Sequence, residues 1–468
     1  MSIWAAISSS NQIHSIEEVF QQKDITSTEM RTAILTWYAA YFGAEPDKKA
    51  DPCQRLPVTI VNKLYKTVFS EYTATAAGAQ KPVLQSLMDR LDNYRKRAMQ
   101  MALIGGECLI KPVIRADKTI DFTLIDRRAF TPFGRDQRGR LTSVGTSERT
   151  VASGMTYTLL ERRTVLPDGA LRIESRLFRT PSVNTDVLGV EIPLQSLPQY
   201  AGLQPDLVLP GIGSIGMAQL RTPTENMVDG SSDAVSVYAP AMGLIRCINT
   251  NEQQLNDEFA HGASRIIASA DMIRMGADGK KHFDDDLFVG IDDDPNNVGV
   301  TIFAPTLRES SYLARKQDYL RSVENLIGLK RGILSEVEAA ERTATEITSS
   351  AGDYNLTVLD FQQSWRSMVA ELMQMCIALG AAYRLLPESA QYSPDDLVID
   401  FGDGVLYDRD KQNSELMQQV NAGLLQPERY LGWYYELPCD TDAQRAKIRA
   451  DYMPPEADDE TIDEGGAE

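Results

Sequence analysis

Apolar residues recur at helical spacing along the N-terminal part of the chain. The segments "SIEEVFQQKD" and "TEMRTAILTWYAAYFG" both carry this period, and Gly43 stands where a helix C-cap belongs. "PVTIVNKLYKTVFSEYTA" predicts an amphipathic helix with Val58, Val61, Leu64, Tyr65, Val68 and Phe69 on one face. A long helix follows through "KPVLQSLMDRLDNYRKRAMQMALI" and stops at Gly105 and Gly106, after which "ECLIKPVI" predicts a strand.

From Asp117 to about Gly230 the apolar spacing shortens to every second residue. "TIDFTLID", "MTYTLLERRTV" and "LRIESRLFRT" read as strands, and Pro167 to Gly169 is a turn signal between the last two. Helices followed by antiparallel strands predict an α+β domain. From Ser231 a helix is expected through "SSDAVSVYAPAMGLIRCINTNEQQLNDEFAHG", with Pro240 in its first turns or kinking it. Short β-like runs come next, in "SRIIASADMIRM" and "DDDLFVGIDDDPNNVGVTIFAP". A helix returns at "RESSYLARKQDYLRSVENLIG", whose residues Tyr312, Leu313, Tyr319, Leu320, Val323, Leu326 and Ile327 form a heptad-like face. Two helices flanking a β insert predict a stalk with a small head.

Gly328 to Glu341 is charged and carries Gly328 and Gly332, so it reads as a looser segment. "TATE" then restarts a helix. The Thr343 hydroxyl can cap it, and Glu346 can reach back to the Thr343 amide while facing the positive end of the helix dipole. One helix from Thr343 to Leu379 would span roughly 55 Å, with Gly352 and Asn355 as candidate kink points. The strand "DDLVIDFGD" and helices around "YDRDKQNSELMQQVNAG", "PERYLGWYYEL" and "DAQRAKIRADY" complete the pattern. The tail from Asp451 onward is acidic without a basic residue and reads as a solvated, disordered end.

Composition narrows what this framework can do. The 468 residues are enough for two to four domains. "MSIWAAISSS" has no basic n-region, so no secretory leader is expected. "MVAELMQMCIALGAAYRLL" carries Glu371, Gln374 and Arg384 and reads as a buried central helix rather than a membrane span. Cys53, Cys108, Cys247, Cys376 and Cys439 are scattered and odd in number, which argues against a disulfide framework or a zinc site and for a reducing compartment. His14, His261 and His282 lie far apart, so no histidine-based metal or nucleophile site is expected. The net charge is -19, which either serves solubility alone or, since its mean field repels phosphate backbones, makes any contact with nucleic acid local or weak; composition does not choose between the two. Arg308, Arg315, Lys316, Arg321, Lys330, Arg331 and Arg342 are such a local gathering of cations. Interleaved Glu309, Asp318 and Glu324 also allow a plain solvated helix face.

"GIGSIG", Gly211 to Gly216, matches the dinucleotide-loop pattern, but Pro223 follows too soon for the helix that such a loop must open. It reads as a flexible loop before an extended segment. No phosphate-binding P-loop occurs. The triplets Asp284 to Asp286 and Asp292 to Asp294 lack the spacing of a calcium loop, and Asp400, Asp403, Asp408 and Asp410 fit turn and cap duties. No catalytic residue, metal or cofactor is expected.

Several stretches, in this order, resemble the portal proteins of long-tailed bacteriophages. They are "LPVTIVNKLYKTVFSEY", "MALIGGECLIKPVI", "MTYTLLERRTVLPDGALRIESRLFRT", "SSDAVSVYAPAMGLIRCINTNEQQLNDEF", "DLFVGIDDD" with "TIFAPTLRESSYLARKQDYLRSVENLIGL", "RTATEITSSAGDYNLTVLDFQQSW" and "NAGLLQPERYLGWYYELPCDTDAQRAKI". The resemblance covers nearly the whole chain, departing in loops such as Leu194 to Ser214. It implies a portal fold: a wing over 1–230, a first stem helix over 231–262, a clip over 263–305 and a second stem helix over 306–327. A tunnel loop over 328–342, a long wing helix with its following strand over 343–400, and a crown with acidic tail over 401–468 would follow. It further implies a homo-oligomeric ring, usually of twelve subunits, closed by rotation. Such a ring stands at one capsid vertex of the virion. Double-stranded DNA is packaged through it by a terminase and later leaves through it. Further implied partners are the major capsid and scaffolding proteins and the head-completion (adaptor) proteins, with no membrane. On the resemblance, Lys330, Arg331, Ser335, Glu336 and Arg342 would face DNA, and Thr343 and Glu346 would anchor the loop.

Overall fold

In the computed structural model the chain mixes helices with antiparallel sheets and divides into two compact units, Met1–Phe401 and Gly402–Glu468. The structure describes residues 16–43, 55–78, 80–115, 117–181, 187–261, 265–268, 273–275, 281–283, 300–303, 306–336, 344–387, 392–402, 409–435, 437–439 and 441–453. Cys53, both aspartate triplets, Asp403, Asp408, Arg342, Thr343 and the acidic tail beyond Met453 lie outside the described residues.

After a short helical stretch at 16–20, the first unit has α1 (Thr28–Phe42), α2 (Leu56–Val68) and α3 (Lys81–Gly105), which follow the apolar spacing. The Ser27 hydroxyl accepts from the Met30 amide and caps α1. α2 ends sooner than its spacing suggests. Thr73–Ala76 forms β1 and pairs with the strand Leu397–Asp400, Thr73 opposite Asp400. A partner far away in sequence overrides the local helical period there.

Gly106 ends α3 at a φ of +86°, and a Cβ there would collide with the Ala234 carbonyl. The chain passes at once into β2 (Glu107–Ile114), flanked by β3 (Ile120–Asp126) and, from later in the chain, Ala218–Arg221. A larger antiparallel sheet runs in the order β4 (Phe130–Arg135), β5 (Leu141–Ala152), β6 (Met155–Val165), β7 (Leu171–Pro181) and β8 (Val190–Ile192), with β9 (Asp206–Leu209) also paired to β7. The β6–β7 hairpin turns at the predicted place, where the Asp168 carboxylate accepts from the Ala170 amide. The glycine run at 211–216 leads into β10 (Ala218–Arg221), a strand and not a helix.

The helix expected from Ser231 begins only at Met242, after a 3-10 turn, Ala239–Ala241, that holds Pro240. The residues before it serve another element. The Val237 amide and the Ser236 hydroxyl both donate to the Leu103 carbonyl, one of the unpaired carbonyls at the end of α3. That tertiary duty holds 234–237 out of the helix. α4 (Met242–His261) then packs on α5 (Glu309–Ile327). Between them lie two antiparallel pairs, β11 (Arg265–Ala268) with β14 (Val300–Phe303) and β12 (Ile273–Met275) with β13 (Lys281–Phe283).

α6 (Ala344–Ala382) has 39 residues, about 58 Å of helix, and is unbroken through Gly352 and Asn355. Its later turns are buried on several sides, through Phe361, Trp365, Met368, Val369, Leu372, Met373 and Cys376. This is the central helix that the sequence suggested. Trp365 is clamped edge-on by Phe69 at 5.1 Å and by Tyr72 at 6.4 Å. Phe401, just after β15 (Leu397–Asp400), lies 5.3 Å from the Tyr72 ring. The second unit holds α7 (Arg409–Asn421), α8 (Pro427–Tyr434) and α9 (Asp442–Tyr452). Thr441 and Gln444 form a capping box at the start of α9.

Candidate functional site

The seam between α4 and α5 changes character along its length. At one end Ile245, Ile248, Leu320 and Val323 are buried in the main core of the first unit. Toward the β insert polar pairs take over. Asn251 Nδ2 donates to the Tyr312 carbonyl at 3.0 Å, Lys316 Nζ lies 2.6 Å from Glu252, and Arg308 reaches Glu258 at 2.6 Å. The pair is thus rooted by apolar burial and held toward its far end by partly exposed ionic contacts, which contribute little where water reaches them.

At the rooted end α5 stops at Gly328, whose φ is +73°. A Cβ there would run into the Thr357 hydroxyl on α6. The turn that follows is built around one side chain. Glu324 is fully buried, and its Oε1 accepts from the amides of Gly332 at 3.1 Å, Leu334 at 2.6 Å and Ser335 at 3.0 Å. Its Oε2 accepts from the Ser335 hydroxyl at 2.7 Å. The Glu336 amide donates to Gln317 Oε1 at 2.8 Å. Buried polar groups must be paired, and here one carboxylate satisfies four donors of the same loop.

This corrects two expectations. The segment after Gly328 was read as loose, but 328–336 is tied to α5 by a carboxylate and an amide side chain. Ser335 was expected to face a channel, but it is 7 % exposed and turned onto Glu324. The other named residues are placed differently. Arg331 and Glu336 are exposed and Lys330 is half-buried. Among the described residues neither Lys330 nor Arg331 has an ion-pair partner. Glu346 lies in the first turns of α6, which starts at Ala344; its contact with Thr343 lies outside the described residues. Glu324, placed by sequence among the acids of a solvated helix face, is instead fully buried, and neither it nor Gln317 stood out as an anchor. The signal was there: Glu324 sits on the same helical stripe as Leu320 and Ile327, where an apolar residue belongs.

Other charges are buried in the β-rich part. Arg135 joins Glu107 and Asp233, with Nη2 at 2.7 Å and 2.8 Å from their oxygens, and Gln219 donates to Glu107 at 2.7 Å. Burial alone would raise the Glu107 carboxyl, but Arg135, then Arg221 and Arg127, hold it down to about 2. Nearby, Lys111 Nζ lies 3.1 Å from Glu161 Oε2, and Arg163 also binds Glu161. Burial opposes ionisation of Glu161 too, and Arg163 and Lys111 lower it to about 2. Arg163 Nη1 also donates to the Gly216 carbonyl at 2.9 Å, tying the glycine run to this network. These charges satisfy one another, which suits a structural network better than a reacting site.

Among the described residues no group of three His, Cys, Asp or Glu side chains is placed to hold a metal ion. Among them, too, no helix is long and apolar enough to cross a membrane. No protein-family model matches the chain, and no curated protein does. Solved structures similar to it include two from gene transfer agent particles. A chain in the neck of a native GTA particle, computed with C12 symmetry, is 11% identical at a TM-score of 0.42, over 89% of this chain and 96% of that one. A chain in the virion of a native gene transfer agent (GTA) particle is 12% identical at a TM-score of 0.40, over 88% of this chain and 99% of that one.

Proposed function

We propose that this chain is the subunit of a portal-type ring, a conduit for double-stranded DNA at one vertex of a phage-like capsid. The observation that carries the reading is the order of elements from α4 to α6. An antiparallel helix pair encloses a small β insert, is rooted in the main core, and runs through a pinned turn into a 39-residue helix. That order agrees with the stem, clip, stem, tunnel-loop and wing-helix sequence that the resemblance implies. On this reading 1–230 and 343–400 form the wing, 231–262 and 306–327 the stem, 263–305 the clip, 328–342 the tunnel loop, and 401–468 the crown and tail.

The chemistry suits a conduit. A subunit with a net charge of -19 repels DNA on average, so a moving duplex is not gripped. Lys330 and Arg331 are cations without a partner among the described residues, at the end of the stem; each can touch passing phosphates briefly. The chain supplies no reaction of its own on this reading. A terminase drives the DNA, and capsid, scaffolding and head-completion proteins dock on the ring in the virion. Electron microscopy of the purified protein, averaged without imposed symmetry, tests the reading. Closed rings with a central hole wide enough for a duplex are expected. A monomer that persists at high concentration and in several salts overturns it.

A further inference from the structure

We infer that Glu324 is a latch that holds the loop of Lys330 and Arg331 docked, and that its carboxylate fills a cradle able to take a small oxyanion in its place. Three observations converge on it. Among the described residues, the amides of Gly332, Leu334 and Ser335 have no acceptor other than Glu324 Oε1. The Ser335 hydroxyl closes on the second oxygen. Beyond Leu329 the apolar anchoring is partial, since Ile333 and Leu334 are half-buried against the core. The loop's polar docking is thus carried by four donors converging on one buried carboxylate.

Converging N–H groups in a turn form an anion-binding concavity. In this chain the anion is supplied by the stem helix itself. Removing the Glu324 side chain leaves four donors without an acceptor at the edge of the core, a costly arrangement. The loop must then move out to water or admit an anion of the same shape, such as formate. Gln317, which holds the Glu336 amide, is the second and weaker tie. The use of the latch, to fix how Lys330 and Arg331 are offered to DNA, rests on the portal reading. The latch itself does not.

Two measurements test it. Hydrogen exchange on the unaltered protein comes first. The amides of Gly332, Leu334 and Ser335 should exchange about a hundredfold or more slower than open loop amides. Free exchange at all three overturns the latch without any variant. Second, trypsin cuts after Lys330 and Arg331 when that backbone is released. Glu324→Ala should raise this cleavage by about tenfold or more at a temperature well below its own thermal midpoint, where the rest of the chain stays folded. Excess formate, but not equal chloride, should restore protection. Cleavage no faster than in the parent overturns the latch, and release that formate cannot reverse overturns the cradle. If Glu324→Ala does not fold, Ser335→Ala takes its place and should speed cleavage by a smaller factor; unchanged cleavage there overturns the latch. Rings seen by microscopy with unprotected amides would reject the latch and keep the portal reading. Protected amides in a persistent monomer would do the reverse.

Discussion

Glu107 and Arg135 face each other between two sheets, with 2.7 Å from Oε2 to Nη2 and both side chains almost wholly buried. The Glu107 carboxyl is held at about 2 against an ordinary 4.5, and Glu161 likewise. Both folded values are depressed, so the stability they contribute is fully present above about pH 4.5 and is lost as pH falls toward 2. The loss should reach roughly 3 kcal/mol for each carboxylate. Urea midpoints measured between about pH 5 and pH 3 should fall steeply, and Glu107→Gln should flatten the slope. Equal slopes in parent and variant would sink the assignment.

Truncating the partner should be worse than neutralising the acid. Arg135→Ala leaves the buried Glu107 and Asp233 without the cation they share. A broken buried pair costs about 3–5 kcal/mol. The thermal midpoint of Arg135→Ala should fall well below that of Glu107→Gln. The opposite ranking would mean that Arg221 and Arg127 carry the network.

What the sequence made legible follows a physical line. The β6–β7 hairpin, the end of α3 at Gly105, α5 and the long α6 were readable because their signals are local: period, turn residues and glycines. The glycine run was dismissed as a nucleotide loop for a local reason, and β10 follows it as a strand. What stayed hidden depends on distant partners. β1 exists because Leu397–Asp400 pairs with it. Ser236 and Val237 stay out of α4 because they donate to the Leu103 carbonyl at the end of α3. At the candidate site, the cations were visible as residues, but the sense of Ser335 was not. Its direction depends on Glu324, whose misplacement on an apolar stripe was the one available clue.

Gly328 should tolerate no side chain. Its φ of +73° disfavours any Cβ by about 1–2 kcal/mol, and the Thr357 hydroxyl stands in the way. Gly328→Ala should lower the midpoint of chemical unfolding by more than the backbone cost alone. Thr357→Ala in the same chain should recover part of the loss, since only the clash is relieved. Strict additivity of the two changes would rule out the contact.

Asn251 is 3 % exposed in the α4–α5 seam, and its Oδ1 has no hydrogen-bond partner among the described residues. Its Nδ2 bond to the Tyr312 carbonyl contributes only about 1 kcal/mol net, while the unpaired oxygen costs a comparable amount. Asn251→Leu should therefore leave stability within about 1 kcal/mol of the parent or raise it. A loss beyond about 2 kcal/mol would show that the amide fixes how the two helices align rather than merely filling the seam.

Lys330 and Arg331 separate the proposed role of the loop from its architecture. Neither has an ion-pair partner among the described residues, and Arg331 is exposed. Replacing both with Ala removes positive charge without touching Glu324, Ser335 or Gly328. Stability and ring formation should stay close to the parent, because exposed or half-buried charges without ion-pair partners contribute little to either. In particles assembled with the double variant, the amount of packaged DNA should fall, and more so at low ionic strength, where phosphate contacts are strongest. Intact rings with unchanged DNA content would mean that these cations do not meet the duplex. Broken rings would instead assign them to contacts between subunits.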